Sequence, residues 1–447
     1  MDEELEKNAL KYHAGERGGK LEVTPTKPCS TKEDLSLAYT PGVAAPVKEI
    51  DKERWKAYRY TNKGNLVAVV SNGSAVLGLG NVGALASKPV MEGKAMLFKV
   101  LADIDAFDIE ISDEEPDRII ATIQAIAPTF GAINLEDIKA PECFYIEERL
   151  RNLLDIPVLH DDQHGTSVVV AAAMINACEI AGKRLDNARI IICGSGAAGI
   201  SIARMLVRIG AEKRNILMVD SKGVISDTRN DIDKFKAEFA TSLDLTTLSQ
   251  AMTNADAFIG VSKGNLLKQH DIEVMRENPI IFALANPVPE IDSRTAHTAR
   301  PDAIIATGRT DLPNQINNSL AFPYLFRGAL DTLSTTINAQ MLIAAVHALA
   351  RIAREPLIAN NNSDTRFGRE HLLPGMSDIR LLTEVTTSVA EAAMESGVAR
   401  RQIASFKEYR DMLISRVDNT NFFIRETMRH RFNARKHRNC DECLQNE

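Results

Sequence analysis

Short apolar runs alternate with amphipathic stretches along the second half of the chain. From about residue 166 a helical stretch leads to the apolar run ARIIIC, and NILMVD, DAFIGVS, IIFALANP and AIIATG follow, separated by further helical segments. Strands that are apolar on both faces and joined by helices are typical of a parallel sheet covered on both sides. This part of the chain is therefore predicted to form a doubly wound parallel sheet of the α/β class.

The first part of the chain has a different pattern. Helical stretches such as residues 117–127 are mixed with strand-like runs at residues 66–70, 75–79, 133–135 and 157–159, which predicts a small α/β domain. Gly and Pro interrupt it in TPGVAAP, SNGSAVLGLGNVG and KAPE, and turns of this kind often carry functional groups.

After residue 308 the pattern is helical again, at residues 324–349 and 381–396. A chain of 447 residues is also long for one hydrophobic core. We predict an N-terminal domain at residues 1–164, the doubly wound domain at residues 165–320, and at residues 321–447 a helical segment that packs on both.

Charge and hydropathy limit the function. The formal net charge is −7, with acids and bases interspersed, which argues against a nucleic-acid surface and favours small-molecule partners. The most apolar long stretch, residues 168–182, contains Asn176 and Glu179 and is too short to span a membrane, so it predicts a buried helix. The acidic start, MDEELEKNAL, does not resemble a signal peptide, so we expect a cytoplasmic protein with no membrane partner.

Zinc is not favoured by the cysteines and histidines. Four of the six cysteines are isolated or lie in apolar runs, where a thiol behaves as a small hydrophobic group: Cys29, Cys143, Cys178 and Cys193. Cys440 and Cys443 form a CxxC beside His437 in a basic tail, for which a zinc site or a redox pair is the alternative to a solvated tail. His160 and His164 lack an HExxH motif and a third nitrogen ligand, so we interpret them as loop or capping residues.

A glycine-rich turn follows the strand at residues 190–192. It contains, in order, Gly194, Ser195, Gly196, Ala197, Ala198 and Gly199, and an amphipathic helix follows. In this context GxGxxG predicts a Rossmann-type dinucleotide site, because the glycines allow close backbone approach and the helix N-terminus offers N–H groups to a pyrophosphate. Asp220 ends the next strand, 21 residues after Gly199, where it can accept hydrogen bonds from an adenosine ribose. We predict NAD or NADP as cofactor; Asp220 favours NAD, although Lys222 softens that preference.

Two acidic pairs end strand-like segments of the first domain. Glu136 and Asp137 lie in AINLEDIKAP, and Asp161 and Asp162 lie in IPVLHDDQHGT. Such pairs can converge in a crevice and hold Mg²⁺ or Mn²⁺ through carboxylate oxygens. The alternative is that these residues cap helices, because Asp and Glu favour the first helical turn.

Longer stretches resemble the malic enzyme family, in particular its small prokaryotic NAD(P)-dependent members. They are AYTPGVAAPV, VLGLGNVG with KPVMEGKAMLFK, PTFGAINLEDIKAPECF, IPVLHDDQHGT, GSGAAG, ALANPVPE and TGRTDLPNQINNSLAFPYLFRGALD. The resemblance implies an N-terminal substrate and metal domain, a Rossmann-type domain and C-terminal helices. It also implies oxidative decarboxylation of L-malate to pyruvate with reduction of NAD(P), and a homodimer or higher homo-oligomer.

The family's motifs assign roles to particular residues. By resemblance, the catalytic acid is Tyr39, the base is Lys94 with Asp161 as its partner, the metal ligands are Glu136, Asp137 and Asp162, and contacts to substrate or nicotinamide come from Asn286 and Asn318. Tyrosine is a resting acid suited to protonating C3 after CO₂ has left, and a metal can stabilise the enolate. Lysine can act as a base only if its pKa falls far enough for the amine to be neutral, and the negative charge of Asp161 opposes that fall. Whether Lys94 or Asp161 first accepts the proton therefore stays open.

Three positions depart from the family's pattern. Ala75 stands where larger malic enzymes have a substrate-binding arginine, and Asp103 and Asp108 stand where relatives usually have Gly and Pro, so we expect altered loop geometry at these two. Two other functions compete with this interpretation: a malolactic enzyme, which releases lactate, and a catalytically silent NAD-binding regulatory protein. The shortness of the chain argues against the first, and the combination of an acid, a base and a metal set argues against the second.

Overall fold

A computed structural model describes residues 3–14, 18–76, 78–355 and 366–444, with side chains up to residue 427. Four helices precede the first sheet: α1 (Glu3–Ala14), α2 (Lys32–Ala38), α3 (Ala44–Lys52) and α4 (Ala57–Tyr60). Among the described residues before Leu66, none is buried. This N-terminal segment, residues 3–65, therefore lies on the surface of the subunit and contributes little to its core.

A four-stranded parallel sheet forms the first α/β unit. Its strands are β1 (Leu66–Ser71), β2 (Asp105–Glu110), β3 (Ala132–Leu135) and β4 (Val158–His160), in the order β2-β1-β3-β4. The connecting helices are α5 (Ala84–Ala102), α6 (Pro116–Ile126) and α7 (Glu142–Leu153). Every residue of β1 is buried, as expected of a central strand in a parallel sheet.

The strand predicted at residues 75–79 was wrong. Among the described residues there, only an isolated antiparallel bridge joins Val76 to Gly80. The surrounding glycines adopt positive φ, namely Gly73, Gly78, Gly80 and Gly83. Because this backbone conformation turns the chain back on itself, the apolar residues between the glycines form a loop instead of a strand.

Helix α8 (Asp161–Ala181) begins directly after β4 and leads to the second sheet. Of the described helices, it is the one long and apolar enough to cross a membrane, but 67% of its most apolar window is buried inside the protein. It packs against α9 (Ala197–Arg208), the helix of the glycine-rich turn, and against a helix of the C-terminal segment. The prediction of a buried helix is therefore confirmed.

The second sheet has six strands. They are β5 (Ile190–Cys193), β6 (Ile216–Asp220), β7 (Gly223–Val224), β8 (Ala257–Gly260), β9 (Ile280–Ala283) and β10 (Ile304–Thr307), in the order β10-β9-β8-β5-β6-β7, parallel except for β7. Short helices complete this unit: α10 (Lys234–Ala237), α11 (Leu248–Met252), α12 (Gln269–Glu273) and α13 (Ser293–Ala299). The predicted doubly wound α/β fold is confirmed.

The C-terminal part is helical: α14 (Phe322–Asp331), α15 (Ala339–Arg354), α16 (Thr386–Glu395) and α17 (Phe406–Leu444). The stretch predicted at residues 324–349 is two helices, because Leu333 has positive φ and Asn338 caps α15. The tail expected to be solvated is the end of helix α17, although Cys440, Cys443 and His437 have side chains outside the described set. The domain boundaries stay predictions.

The departure at Asp103 is explained by the C-terminal helix. Asp103 ends α5 in the left-handed conformation, φ 49°, which favours the glycine expected there. Its carboxylate compensates by accepting hydrogen bonds from Lys99, at 2.6 Å, and from Arg416 and Thr420 of α17, at 2.7 and 2.8 Å. Asp103 thus anchors α17 to the first unit.

Candidate active site

Three carboxylates meet at the carboxyl edge of the first sheet. Glu136 and Asp137 follow β3 directly, and Asp162 lies in the first turn of α8, just beyond β4. Because β3 and β4 are parallel neighbours, these positions lie at one edge. One ligand oxygen from each side chain lies within 4.8 Å of the other two, so the three residues assigned to the metal by resemblance form one cluster.

The surroundings of this cluster fit a hard divalent cation. Asp137 has a left-handed backbone, φ 51°, and its N–H donates to Oδ2 of Asp162 at 2.9 Å. Oδ2 of Asp137 is buried and accepts no hydrogen bond from any described residue. Burial, followed by the Asp162 and Glu136 carboxylates, raises the pKa of Asp137 to about 9. Mg²⁺ or Mn²⁺ would offset this crowding of negative charge with the oxygen ligands that it prefers.

Lys94, in α5, lies beside the cluster as a buried ammonium. Its Nζ is 2.6 Å from Oδ2 of Asp161 and 2.9 Å from Oε1 of Glu136. Burial alone would lower the pKa of Lys94, but the two carboxylates outweigh burial and raise it. Burial raises the pKa of Asp161 to about 6, against the opposing effect of Lys94. The ammonium form expected beside Asp161 is therefore the favoured one.

Gly165, which the sequence analysis did not single out, allows Asp161 to take this position. Gly165 lies one helical turn after Asp161, and a Cβ at Gly165 would lie 1.8 Å from Oδ1 of Asp161. The same Cβ would lie 3.3 Å from Cβ of Asn318. Asn318 therefore packs beside Gly165, which lies within the first two turns of α8.

Two further neighbours were missed. Nζ of Lys94 is 4.3 Å from the ring centroid of Phe322, a cation–π distance, and Nδ2 of Asn134 donates to Oε2 of Glu136 at 2.9 Å. Asn134 could have been found from the sequence, because it precedes Glu136 by two residues along β3 and such residues share a face. The contact between Phe322 and Lys94 has no local sequence signal.

Tyr39 and Asn286 are not in contact with this cluster. Tyr39 follows α2 in the N-terminal segment, with 72% of its surface exposed, and its hydroxyl has no hydrogen bond with a described residue. Asn286 follows β9 and is exposed. A Cβ at Gly78 would lie 2.4 Å from the carbonyl oxygen of Asn286. The loop after β9 therefore contacts the loop around Gly78 in the first unit. Asn286 thus lies where the two units meet.

The dinucleotide loop has the geometry that its motif predicts. Gly194, Ser195 and Gly196 lead from β5 into α9, whose first residues are Ala197, Ala198 and Gly199. Gly194 has φ 116°, and a Cβ at Gly199 would lie 1.8 Å from the carbonyl oxygen of Gly194. The space around Gly196 is open to 4 Å. The loop is therefore closed on the strand side and accessible where a pyrophosphate would bind.

His160 and His164 contact α7, and Nδ1 of His160 also lies 3.7 Å from Oδ2 of Asp162, one of the three clustered carboxylates. Both contact Glu147 of α7: its Oε1 accepts the His160 N–H at 3.1 Å, and its Oε2 is 3.0 Å from Nε2 of His164. His160 is fully buried, and burial lowers its pKa to about 4. Both residues therefore connect α7 to the β4–α8 junction.

Comparison with known protein families identifies both units. The family described as "Malic enzyme, N-terminal domain" matches residues 18–151, and "Malic enzyme, NAD binding domain" matches residues 163–397. The chain is 53% identical over 398 residues to the NADP-dependent malic enzyme of Halomonas elongata, covering 88% of this chain and 94% of that one. It is 46% identical over 402 residues to the bifunctional malic/malolactic enzyme of Bacillus subtilis, covering 89% and 95%.

Longer relatives and solved structures agree. The NADP-dependent malic enzyme of Escherichia coli is 50% identical over 432 residues, which are 95% of this chain, but the chain spans only 57% of that relative's length. The crystal structure of malic enzyme from Pyrococcus horikoshii Ot3 is similar at a TM-score of 0.88 and 41% identity, covering 96% of this chain and 99% of that one. By sequence and by fold, this chain belongs to the malic enzyme family.

Proposed function

We propose that this chain oxidises and decarboxylates L-malate to pyruvate and CO₂, with NAD(P)⁺ as hydride acceptor and Mg²⁺ or Mn²⁺ as the metal. The observation that carries the proposal is the buried ammonium of Lys94, held by Asp161 and Glu136 beside the carboxylate cluster. A protein that only binds a dinucleotide needs none of these groups. A metal-assisted oxidative decarboxylation of a hydroxy acid uses a proton acceptor and a carboxylate-bound cation, and this group of residues can supply both.

Glu136, Asp137 and Asp162 would hold the metal. When bound, the cation supplies a Lewis acid for the oxygens of the substrate. Asn134 fixes one oxygen of Glu136, which leaves the position of that carboxylate defined before metal arrives. Asn318, beside Gly165, and Asn286, where the two units meet, would contact the substrate or the nicotinamide.

Lys94 and Asp161 would act as one proton-accepting unit. Because its two carboxylate neighbours keep Lys94 protonated, the lysine can take a proton only after it has passed one on. Asp161, with a pKa of about 6, is ionised at neutral pH and lies 2.6 Å from Nζ. Asp161→Asn, which keeps the shape but not the charge, should therefore lower kcat by about 100-fold or more.

Tyr39 is proposed as the acid that protonates C3, and it would act in a homodimer. The N-terminal segment has no buried residue among those described, and it exposes large apolar side chains: Leu35, Leu37, Tyr39, Val47, Trp55 and Tyr60. Several large exposed apolar side chains in one short segment are typical of an interface. We propose that this segment packs against a second copy and that this packing brings Tyr39 to a catalytic cluster.

Light scattering during size-exclusion chromatography measures the mass of the native protein and so tests the proposed dimer. We expect twice the mass of one chain, and the monomer mass for Leu37→Asp, which places a charge on the apolar surface. Mixing Tyr39→Phe with Lys94→Ala protein should restore activity if one copy supplies the tyrosine and the other the lysine. A monomeric native chain with full activity would contradict the proposed dimer.

A coupled assay with product identification tests the activity. Purified protein is given L-malate and Mn²⁺ with NAD⁺ or NADP⁺, and reduced coenzyme and the organic acid are measured. We expect pyruvate in equal amount to reduced coenzyme, with loss of activity on chelation or in Lys94→Ala but not in Lys407→Ala, a change at an exposed lysine outside the N-terminal segment. Absence of product with either coenzyme would refute the proposal.

A malolactic reaction is the second candidate. It is favoured by one specific observation, the 46% identity to a bifunctional malic/malolactic enzyme that the chain covers over 95% of its length. The same assay separates the two reactions, since lactate formed without net reduction of coenzyme indicates the malolactic one.

A further inference from the structure

A cavity of about 760 Å³ opens between the first α/β unit and the second one. Its walls are α7 of the first unit and α9 and α10 of the second, and the first turns of α8 form its buried side. The glycine-rich turn at residues 194–199, Asp220 and the N-terminal segment do not line it, and neither do Lys94 and the clustered carboxylates. A space of this size accommodates a small-molecule ligand. The cavity is therefore separate from both the coenzyme turn and the catalytic cluster.

Gln163 of α8 brings an unpaired amide to the buried side of this cavity. Its side chain is only 2% exposed. Oε1 accepts from Oγ of Ser201 at 3.5 Å, but Nε2 has no hydrogen-bond partner among the described residues. A polar group that is buried without a partner costs about 1 to 3 kcal/mol, so such groups usually have a partner. Gln163 thus offers the cavity a donor that the protein itself does not use.

Three arginines line the cavity from two sides. Arg151 lies on α7, and Arg204 and Arg208 lie one helical turn apart on α9. Burial, followed by the positive charges of Arg204 and Arg151, lowers the pKa of Arg208. The three guanidinium groups are thus close enough to repel one another, and an anion between them would relieve this repulsion.

Two of these arginines have no carboxylate partner. Among the described residues, Arg208 has neither a hydrogen bond nor an ion pair. Nη2 of Arg151 donates only to the hydroxyl of Thr336, at 3.4 Å, and to the carbonyl of Ile337, at 3.2 Å. Arg204 is paired, since its Nε donates to Glu238 at 2.9 Å. Because a guanidinium has five N–H donors, most of those on Arg151 and Arg208 stay available to a ligand.

The carboxylates that line the cavity do not satisfy these donors. Glu147 contacts Nε2 of His164 at 3.0 Å, and Asp155 is exposed and bound by Arg400 at 3.1 Å. Glu148 is exposed on α7 and has no partner among the described residues. The two arginines without a carboxylate partner therefore outnumber the one lining carboxylate without a cationic partner.

We propose that this cavity binds a small phosphate-bearing anion, which links Arg151 of the first unit to Arg204 and Arg208 of the second. Guanidinium groups form strong charge-assisted hydrogen bonds with phosphate oxygens. Phosphate oxygens point in several directions, so one group can accept from donors on opposite walls, whereas a carboxylate accepts only near its own plane. The unpaired amide of Gln163 is a donor for a further oxygen of the same ligand.

Calorimetric titration with pyrophosphate, in the presence of saturating NAD⁺ or NADP⁺ and without metal, tests the site. The coenzyme fills the glycine-rich turn, which would otherwise bind pyrophosphate itself. We expect Arg151→Ala and Arg208→Ala each to weaken pyrophosphate by about tenfold or more. Arg149→Ala is the matched control, because Arg149 is exposed on the same helix as Arg151 but does not line the cavity, and it should bind as the native chain does.

Two further titrations define the ligand. Gln163→Leu, which removes the unpaired amide at similar size, should also weaken pyrophosphate. Citrate, which brings three carboxylates, should bind at least about tenfold more weakly to the native chain. Tighter binding of citrate would overturn the assignment to phosphate.

The binding measurements do not depend on turnover. If malate oxidation fails but pyrophosphate binds and both arginine variants weaken it, the inference stands without the proposed activity. Lack of pyrophosphate binding by the native chain, or equal affinity in Arg151→Ala, Arg208→Ala and Arg149→Ala, would overturn the inference even in an active enzyme.

Discussion

Replacing Gly165 by alanine tests whether the position of Asp161, the proposed proton acceptor, depends on the absence of a side chain at Gly165. The new Cβ would lie 1.8 Å from Oδ1 of Asp161, whereas real Cβ contacts under 3.0 Å essentially do not occur. The carboxylate or the helix must therefore shift by at least 1.2 Å, the difference between these distances. The other oxygen of the same carboxylate accepts from Lys94 at 2.6 Å, so the shift disturbs a buried ion pair.

Two opposing effects determine whether Gly165→Ala raises or lowers the free energy of unfolding. Alanine is favoured over glycine in a helix interior by about 1 kcal/mol. Removing one partner of a buried ion pair costs about 3 to 5 kcal/mol, and a displacement that weakens the pair costs part of that. We expect Gly165→Ala to lose about 1 to 3 kcal/mol of stability on balance. We also expect kcat/KM to fall by about 100-fold, as is typical when a catalytic group is misplaced by about 1 Å.

Gly93→Ala is the matched control. Gly93 also lies inside a helix, α5, but a Cβ there meets only Cε of Lys20, at an ordinary 3.8 Å. This variant should gain up to about 1 kcal/mol and keep its activity. Stability is measured by urea unfolding and activity by reduced-coenzyme formation from malate. If Gly165→Ala matches Gly93→Ala in both measurements, the close packing around Asp161 does not determine its position and the reasoning is wrong.

Three further predictions follow from the carboxylates. Mn²⁺ should raise the unfolding temperature in calorimetry, and Asp137→Asn, unlike the surface change Asp51→Asn, should remove most of that rise; an equal rise in both variants would place the metal elsewhere. Without metal, the free energy of unfolding should fall as pH rises from 6 toward 9. The reason is that Asp137 and Glu136, with pKa values of about 9 and about 7, hold protons in the folded chain that the unfolded chain has already released. A free energy of unfolding in urea that does not change with pH would contradict this. Asp103→Gly relieves a positive φ but loses the ion pair to Arg416, so we expect a net loss of about 1 kcal/mol, and a more stable variant would show that backbone strain dominates.

The sequence predicts those parts of the fold whose signal is local. β1 and β5 were recognised because a strand buried on both faces is apolar throughout. The run at residues 75–79 was misassigned because hydropathy does not report backbone φ, and the flanking glycines determine the turn. α17 lies in the helical segment predicted at residues 321–447, but its position could not be predicted because its anchor, the contact of Arg416 with Asp103, joins residues 313 positions apart.

The same distinction holds for the candidate site. The acidic pairs were identifiable because each ends a strand, whereas Gly165 and Phe322 act only through contacts with residues on other elements or turns. The preference for NAD drawn from Asp220 considered its position alone. Arg229 and Lys236, which lie 9 and 16 residues further along the chain, donate hydrogen bonds to its carboxylate. No sequence pattern near the strand predicts these two contacts.

The junction of β4 and α8 has a mechanical consequence. No loop residue separates His160 of β4 from Asp161 of α8, so the helix is joined directly to the edge strand of the first sheet. Asp161 and Asp162 lie at this joined end of the helix. Helix α8 has 21 residues and is about 30 Å long. A rotation of about 5° around the junction would swing its far end by roughly 2.7 Å, while the carboxylates at the fulcrum would move by only a few tenths of an ångström. A small rotation of the coenzyme unit about this junction would therefore displace the acidic cluster far less than the distant end of α8.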